Sequence, residues 1–308
     1  MPDDRFVRGL TRFTDLYTRS LPYWGRSGKQ VRLLERPLDL VVSERKQVAD
    51  DVVSIRLAGD DLPAWHPGAH LDLHLPSGLR RQYSLCGDPG DRTYRIAARL
   101  LGPGSAEVHE LRPGAKVTVH GPRNAFPFVA QGKMLFVAGG IGITPILPMV
   151  RMADRLGLDW RLVYKGRSLP FEDELPQGTV TINPGRDELL KNAPDGGAVY
   201  VCGPAGMLAA VKRDFHDCPA TALHYERFGP PPIVDGKPFE VQLGHDGPVL
   251  DVPADRSALA VLRDFRPGVP YSCQQGFCGT CRQRTVDGND ILVCVERTDG
   301  ERLVLEER

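Results

Sequence analysis

Four of the seven cysteines in this 308-residue chain lie between positions 273 and 294, as Cys273-Gln-Gln-Gly-Phe-Cys278-Gly-Thr-Cys281 with Cys294 downstream. The C-x4-C-x2-C spacing with a later fourth cysteine is that of plant-type 2Fe-2S centres. Three thiolates can converge only if the loop between them is built of small residues whose backbone N–H groups face the negative cluster, and Gly276 and Gly279 supply these. A structural zinc site, the alternative, prefers paired C-x2-C units, of which only one is present. The expected ligands are Cys273, Cys278, Cys281 and Cys294. Twelve residues separate the third from the fourth. The run RQRTV-DGND-ILVCV reads as a hairpin with Val286 opposite Ile291. That register sets Cys294 across from Gln283, on the face that carries Cys281. A slip of one residue turns Cys294 away.

An odd number of cysteines in a chain this long points to metal or redox chemistry rather than a disulfide framework. Cys86 and Cys218 read as small buried residues. Thirty-nine Lys+Arg balance 39 Asp+Glu, so a nucleic acid is not expected as a partner. No run approaches the roughly 20 apolar residues of a membrane span, and MLFVAGGIGITPI is broken by glycines. The N-terminus has early acids and no apolar core of a secretory signal. These readings predict a soluble protein of the reducing cytoplasm. Residues 1–36 hold eight bases and four acids, whereas 235–308 hold thirteen acids and nine bases. A docking dipole and ordinary solvated faces are both compatible with that asymmetry.

From Leu38 the chain falls into six short alternating runs, LDLVVSE, DVVSIRLAG, HLDLHLP, RQYSLCG, YRIAARL and KVTVHG, which predict an antiparallel barrel or sandwich. After Lys133 the buried run MLFVAGG leads into IGITPILPMVRMADRLG, where Thr144 and Pro145 open a helix with Ile146, Met149, Val150 and Ala153 on one face. Strands WRLVYKG, TVTIN and AVYVCG and a helix in PAGMLAAVKRDFH continue the alternation, predicting a parallel sheet. Pro230-Pro231-Pro232 is a stiff linker. Beyond it FEVQLGHDGPVLDVP reads as a hairpin and RSALAVLRDF as a helix with Asp255 as its N-cap.

Several motifs join the cysteine loop in one order. Arg81-Gln82-Tyr83-Ser84-Leu85 resembles a flavin-binding strand, Gly102-Pro-Gly104-Ser105 a phosphate loop, and Gly121-Pro-Arg-Asn-Ala-Phe126-Pro a barrel exit. Ala138-Gly139-Gly140-Ile-Gly142-Ile-Thr144-Pro145 and Val201-Cys202-Gly203-Pro204 resemble nicotinamide motifs. Over about residues 38–308 the chain therefore resembles the phthalate dioxygenase reductase and vanillate demethylase reductase family. The resemblance implies a basic extension (1–37), an antiparallel β-barrel flavin domain (38–128), an α/β parallel-sheet nucleotide domain (129–231) and a β-grasp ferredoxin domain (235–308). Two departures stand out: the Cys281–Cys294 segment is shorter than is usual in the family, and the basic N-terminus has no counterpart in it.

The resemblance further implies FMN, a 2Fe-2S cluster and NADH as cofactors. It places FMN on Arg81, Gln82, Tyr83, Ser84, Ala97, Ala98, Arg99, Gly102, Gly104, Ser105, Thr144 and Phe228. Arg81 suits the phosphate, Tyr83 the ribityl or ring and Ser84 the neighbourhood of N5, while Phe228 would cover the flavin. NAD falls to Gly139, Gly140, Gly142, Arg167, Ser168, Cys202, Gly203 and Pro204, at a glycine-rich turn where the backbone can approach a pyrophosphate. An arginine at 167 also suits a 2′-phosphate, yet relatives with Arg-Ser here resemble NADH users. Catalytic contacts are expected from Ser84, Thr144 and Cys202. A nicotinamide gives two electrons and an iron–sulfur centre takes one, so a flavin stands between them. The implied partner is a terminal oxygenase or demethylase of the Rieske type, with a haem oxygenase as alternative, and the chain is expected to be a monomer. Two other readings stay open: a self-contained NADH oxidase or quinone reductase, and a zinc-holding binding module. The eight histidines show no ligand spacing, since the recurrence of His66, His70 and His74 is broken by Pro67-Gly68.

Overall fold

The six alternating runs form strands β1 (Leu38–Ala49), β2 (Val52–Ala58), β3 (Ala69–His74), β4 (Arg80–Ser84), β5 (Tyr94–Arg99) and β6 (Lys116–Asn124), in the order β4-β3-β6-β1-β2-β5. Every neighbouring pair is antiparallel. The computed structural model describes residues 37–306 except 131, 231, 232, 267, 272, 273, 277, 278, 299 and the side chain of 186. The basic N-terminal segment, Cys273 and Cys278 thus lie outside the described residues. From Pro37 onward the chain forms one unit.

The sheet curls until its two edges meet, where the Cys86 amide beyond β4 donates to the Arg95 carbonyl on β5 at 2.8 Å. This closure makes the sheet a barrel. Strand alternation sends Leu71, Leu73, Ile55 and Val119 into its interior. β5 is buried on both faces. Tyr94, Ile96 and Ala98 fill the barrel, whereas Ala97 faces a second core shared with the next sheet. A short helix, α1 (Pro103–Glu110), lies between β5 and β6.

Strands β7 (Lys133–Gly139), β8 (Asp159–Lys165), β9 (Thr179–Ile182), β10 (Ala198–Cys202) and β11 (Ala222–Glu226) form a parallel sheet ordered β11-β10-β7-β8-β9. Met134, Phe136 and Ala138 of β7 point to one face and Leu135 and Val137 to the other, and both faces are dry. Burial on both sides explains why this strand reads as an unbroken apolar run. Helix α2 (Ile143–Arg155) begins at the predicted place, with Ile146, Met149, Val150 and Ala153 fully buried, and α3 (Ala205–Asp214) follows β10. The chain leaves β7 toward β8 on one side and returns to β10 on the other. The carboxyl ends of β7 and β10 therefore flank the switch point, where open α/β sheets place ligands.

The last sheet joins β12 (Phe239–Leu243) antiparallel to β13 (Val249–Val252) and parallel to β16 (Arg302–Leu305). Helix α4 (Ala258–Phe265) packs on it through Leu259 and Leu262. Its N-cap is Ser257, whose Oγ accepts from the Ala260 amide at 3.2 Å, and not Asp255. Asp255 comes too early, inside a turn closed by Arg256 N–H to the Pro253 carbonyl.

The hairpin β14 (Arg282–Arg284) and β15 (Asp290–Leu292) exists, with a different register from the expected one: Gln283 faces Ile291. Thr285 to Asn289 close the turn, and Val286 gives its amide to the Val304 carbonyl of β16 at 3.1 Å. Since that amide serves the neighbouring sheet, Val286 does not oppose Ile291. Cys294 falls beyond β15, in a turn where the Val295 and Glu296 amides both donate to the Leu292 carbonyl.

Candidate functional site: three chambers in series

A cavity of about 300 Å³ opens where β4, β5 and the start of α1 face the start of α2. Arg81, Gln82, Tyr83, Ser84, Ala97, Arg99, Gly102, Gly104, Ser105, Thr144 and Phe228 line it, together with Leu101, Pro103 and Ile141. Ala98 does not, because alternation along β5 turns its methyl into the barrel. The cavity fits a flavin phosphate and ring at opposite ends. At one end, α1 starts with no acidic residue in its first turn, and Ser105 Oγ ties down the Leu101 and Gly102 amides at 2.8 and 3.0 Å. A Cβ on Gly104 would stand 2.7 Å from Arg81 Nε, so only glycine lets the guanidinium lie against this loop. At the other end Phe228 is 51% exposed, a large aromatic at the mouth that a planar ring system would cover. Thr144 is buried, its hydroxyl donated to the Ile141 carbonyl at 2.9 Å.

A larger cavity, about 790 Å³, adjoins the first and shares Arg99 and Leu101 with it. Gly140, Arg167, Ser168 and Pro204 line it as expected. Asp50, Asp51, Lys165, Asn183 and Met207 do so without having been foreseen. Arg99 forms the common wall: it pairs with Asp51 at 3.0 Å and donates to Ser168 Oγ at 2.7 Å. Gly139, Gly142 and Gly203 line neither of these cavities. They let the two strand-end turns touch, since a Cβ on Gly142 would lie 2.3 Å from the Cys202 carbonyl oxygen and one on Gly139 2.5 Å from Pro204. Cys202 is fully buried beneath them. Burial, reinforced by Glu226, holds its thiol well above the ordinary range, so it is neutral and not a nucleophile, and it lines neither cavity, in contrast to the contact expected of it.

The third chamber is small and polar. Arg81, Gln82, Ser84 and Phe228 of the first cavity reappear in its wall beside His70, Glu226, Tyr271, Gln274 and Gln275, the last two belonging to the cysteine loop. Glu226 is the residue that sequence reasoning missed; an acid at the carboxyl end of a sheet strand was the available signal. Burial pushes its carboxyl up to about 8, although a hydrogen bond from Ser84 opposes the shift. Its Oε2 has no hydrogen-bond partner among the described residues. His70 is lowered to about 4 by burial and by Arg123, so it is a neutral acceptor for the Gln82 amide at 3.0 Å.

Cys281 and Cys294 lie in one apolar core with Tyr271 and Val293, 2% and 4% exposed. Gln274, Gly276 and Gly279 all take positive φ, the backbone conformation of tight turns. A Cβ on Gly276 would meet Val295 at 2.7 Å, which brings the loop up against the Cys294 turn. Two buried thiols, a tightly turning glycine-rich loop and a fourth cysteine on a turn fit a 2Fe-2S cluster.

The 2Fe-2S iron-sulfur cluster binding domain family matches residues 243–304. Across nearly the whole chain, the vanillate O-demethylase oxidoreductase of Pseudomonas sp. (strain HR199 / DSM 7063) is 38% identical, covering 86% of this chain and 93% of its own. Phthalate dioxygenase reductase of Burkholderia cepacia is 32% identical over 87% and 97%. The chain belongs to this family of oxygenase and demethylase reductases. A solved phthalate dioxygenase reductase, described as a modular structure for electron transfer from pyridine nucleotides to [2Fe-2S], superposes with a TM-score of 0.66 at 32% identity, covering 88% of this chain and 98% of that one. Like other reductases of the family, the chain is an oxidoreductase that combines a curled antiparallel sheet, a parallel sheet and a ferredoxin domain. No described helix is long and apolar enough to cross a membrane.

Proposed function

We propose that this chain takes hydride from NADH and passes electrons singly, through FMN and a 2Fe-2S cluster, to a separate Rieske-type oxygenase or demethylase, working as a cytoplasmic monomer. Its working parts are a flavin module at 38–128, a nucleotide module at 129–231 and a ferredoxin module at 235–308. The observation that carries this reading is the series of shared walls. The nucleotide cavity meets the flavin cavity at Arg99, and the flavin cavity meets the cysteine-loop chamber at Arg81, Gln82, Ser84 and Phe228.

FMN, when bound, converts a two-electron donation into single-electron transfers. Arg81, Ser105 and the first turn of α1 would hold its phosphate, Tyr83 and Phe228 its ring, and Cys273, Cys278, Cys281 and Cys294 the cluster. Arg167 and Ser168 would take the adenosine ribose and Gly140 with Pro204 the pyrophosphate. Asp50 and Asp51 on the same cavity wall disfavour an additional 2′-phosphate, which supports NADH. When two electrons leave as single charges, the accompanying proton needs its own route. The Ser84 hydroxyl, bonded to a Glu226 carboxyl that titrates near 8, is placed to carry it into the polar chamber.

The test is an anaerobic titration of the purified protein with NADH, following flavin and cluster absorbance with both quantified. One flavin per two irons, both bleaching, is the expected result. Flavin bleaching without iron would reduce the chain to a simple flavin reductase.

A further inference from the structure

Tyr271 is 6% exposed and stands just before the cysteine loop. Its ring belongs to the ferredoxin core, and the Arg263 guanidinium lies 3.7 Å from the ring centroid. Its hydroxyl reaches out of that module and accepts a hydrogen bond from Arg81 Nη1, a group of the barrel strand β4, whose guanidinium also lies 5.2 Å from the Tyr271 ring centroid. The same Nη1 donates to the Arg80 carbonyl at 2.8 Å. The opposite edge of Arg81 rests on Gly104 in the loop that would hold the flavin phosphate. One guanidinium thus spans from the phosphate loop to the ferredoxin module, and Tyr271 itself lines the outer chamber, not the flavin cavity.

We propose that Tyr271 is a positioning residue that couples flavin retention to the seating of the ferredoxin module through Arg81. The proposal rests on the FMN reading above. A bound phosphate orients the guanidinium for the Tyr271 hydroxyl, and the hydroxyl orients it for the phosphate. Both events order the same planar fork, so each lowers the cost of the other, and the linkage is reciprocal. A tyrosine that only filled the core would have no such reach, because phenylalanine fills the same space.

The experiment compares wild type, Tyr271→Phe, Arg81→Ala and the double variant as full-length, cluster-loaded proteins. FMN dissociation constants are measured by flavin fluorescence, and amide hydrogen exchange is followed in α4 with and without FMN. Tyr271→Phe keeps the ring and its stacking and loses only the acceptor. The expected result is an FMN dissociation constant raised about 5-fold or more, no further loss when Tyr271→Phe is added to Arg81→Ala, and FMN-dependent protection of α4 in wild type that vanishes in Tyr271→Phe. An unchanged dissociation constant in Tyr271→Phe, or additive losses in the double variant, overturns the coupling. Failure of wild type to bind FMN at all overturns the flavin reading, and the coupling with it.

Discussion

The barrel touches its two neighbours in opposite ways. Against the nucleotide sheet it contributes Val52, Cys86, Ala97 and Phe126 to a core completed by Ile143, Ile146 and Met149. That seam is reinforced by Arg95, which forks onto both Glu174 oxygens at 2.9 Å while Arg151 takes the same carboxylate at 2.6 Å. Against the ferredoxin module the described contacts are polar. They include the Arg81–Tyr271 pair and a small chamber, beside which Gln275 Nε2 donates to the Arg227 carbonyl of the nucleotide module at 2.6 Å. Among the described residues the ferredoxin core shares no member with the other cores. An apolar seam reinforced by a half-buried ion cluster is costly to open, whereas a polar, partly hollow contact exchanges its hydrogen bonds with water at little cost. On the proposed reading, hydride transfer would take place across the packed seam and the onward step across the polar one.

The comparison can be broken most severely by emptying one side. Cys294→Ser should abolish cytochrome c reduction while flavin reduction by NADH continues, measured in the same anaerobic mixing experiment; loss of both would mean that the two sides are not separable. Next comes the packed side. Gly142→Ala would press a methyl onto the Cys202 carbonyl, and overpacking of this kind costs about 1–3 kcal/mol, to be read from denaturant unfolding.

Glu174→Gln should cost about 2 kcal/mol, since it leaves Arg95 and Arg151 without their anion, while Gln275→Ala should shift unfolding by less than about 0.5 kcal/mol. Burial raises the Glu174 pKa, but Arg95 and Arg151 outweigh it and the net shift is downward. A lowered folded-state value stabilises above the ordinary 4.5 and is lost as pH falls, so the difference between wild type and Glu174→Gln should shrink in acid.

The smallest effect concerns the proton. Glu226 is neutral below about 8 and ionises above it. A new carboxylate beside the flavin cavity opposes arrival of a hydride, so flavin reduction should slow as pH rises through 8. Glu226→Gln should flatten that profile, and a profile unchanged by the substitution would mean that the Glu226 charge does not act on the flavin. The raised value also means that its contribution to folding is full below about 4.5 and declines up to about 8.

What was legible in the sequence was what is local. The barrel strands and the parallel sheet follow from alternation and from apolar runs, and eleven residues that line the first cavity are ones the family resemblance implied, most of them in RQYS, in β5 and in the Gly-Pro-Gly-Ser loop that follows it. Residues contributed across modules were not legible. Glu226 reaches Ser84 and Tyr271 reaches Arg81 only after distant elements have packed. The hairpin register failed for the same reason, because β16 claims the Val286 amide. The glycines of the nicotinamide turn were legible as glycines, but three of them serve contact between strand ends rather than a cavity wall.

Phe228 follows β11 by two residues and precedes the triple-proline run by two. The cover of the flavin cavity and the tether of the ferredoxin module are therefore one length of chain. A change in the length of that stretch would register at the flavin site and at the ferredoxin module together.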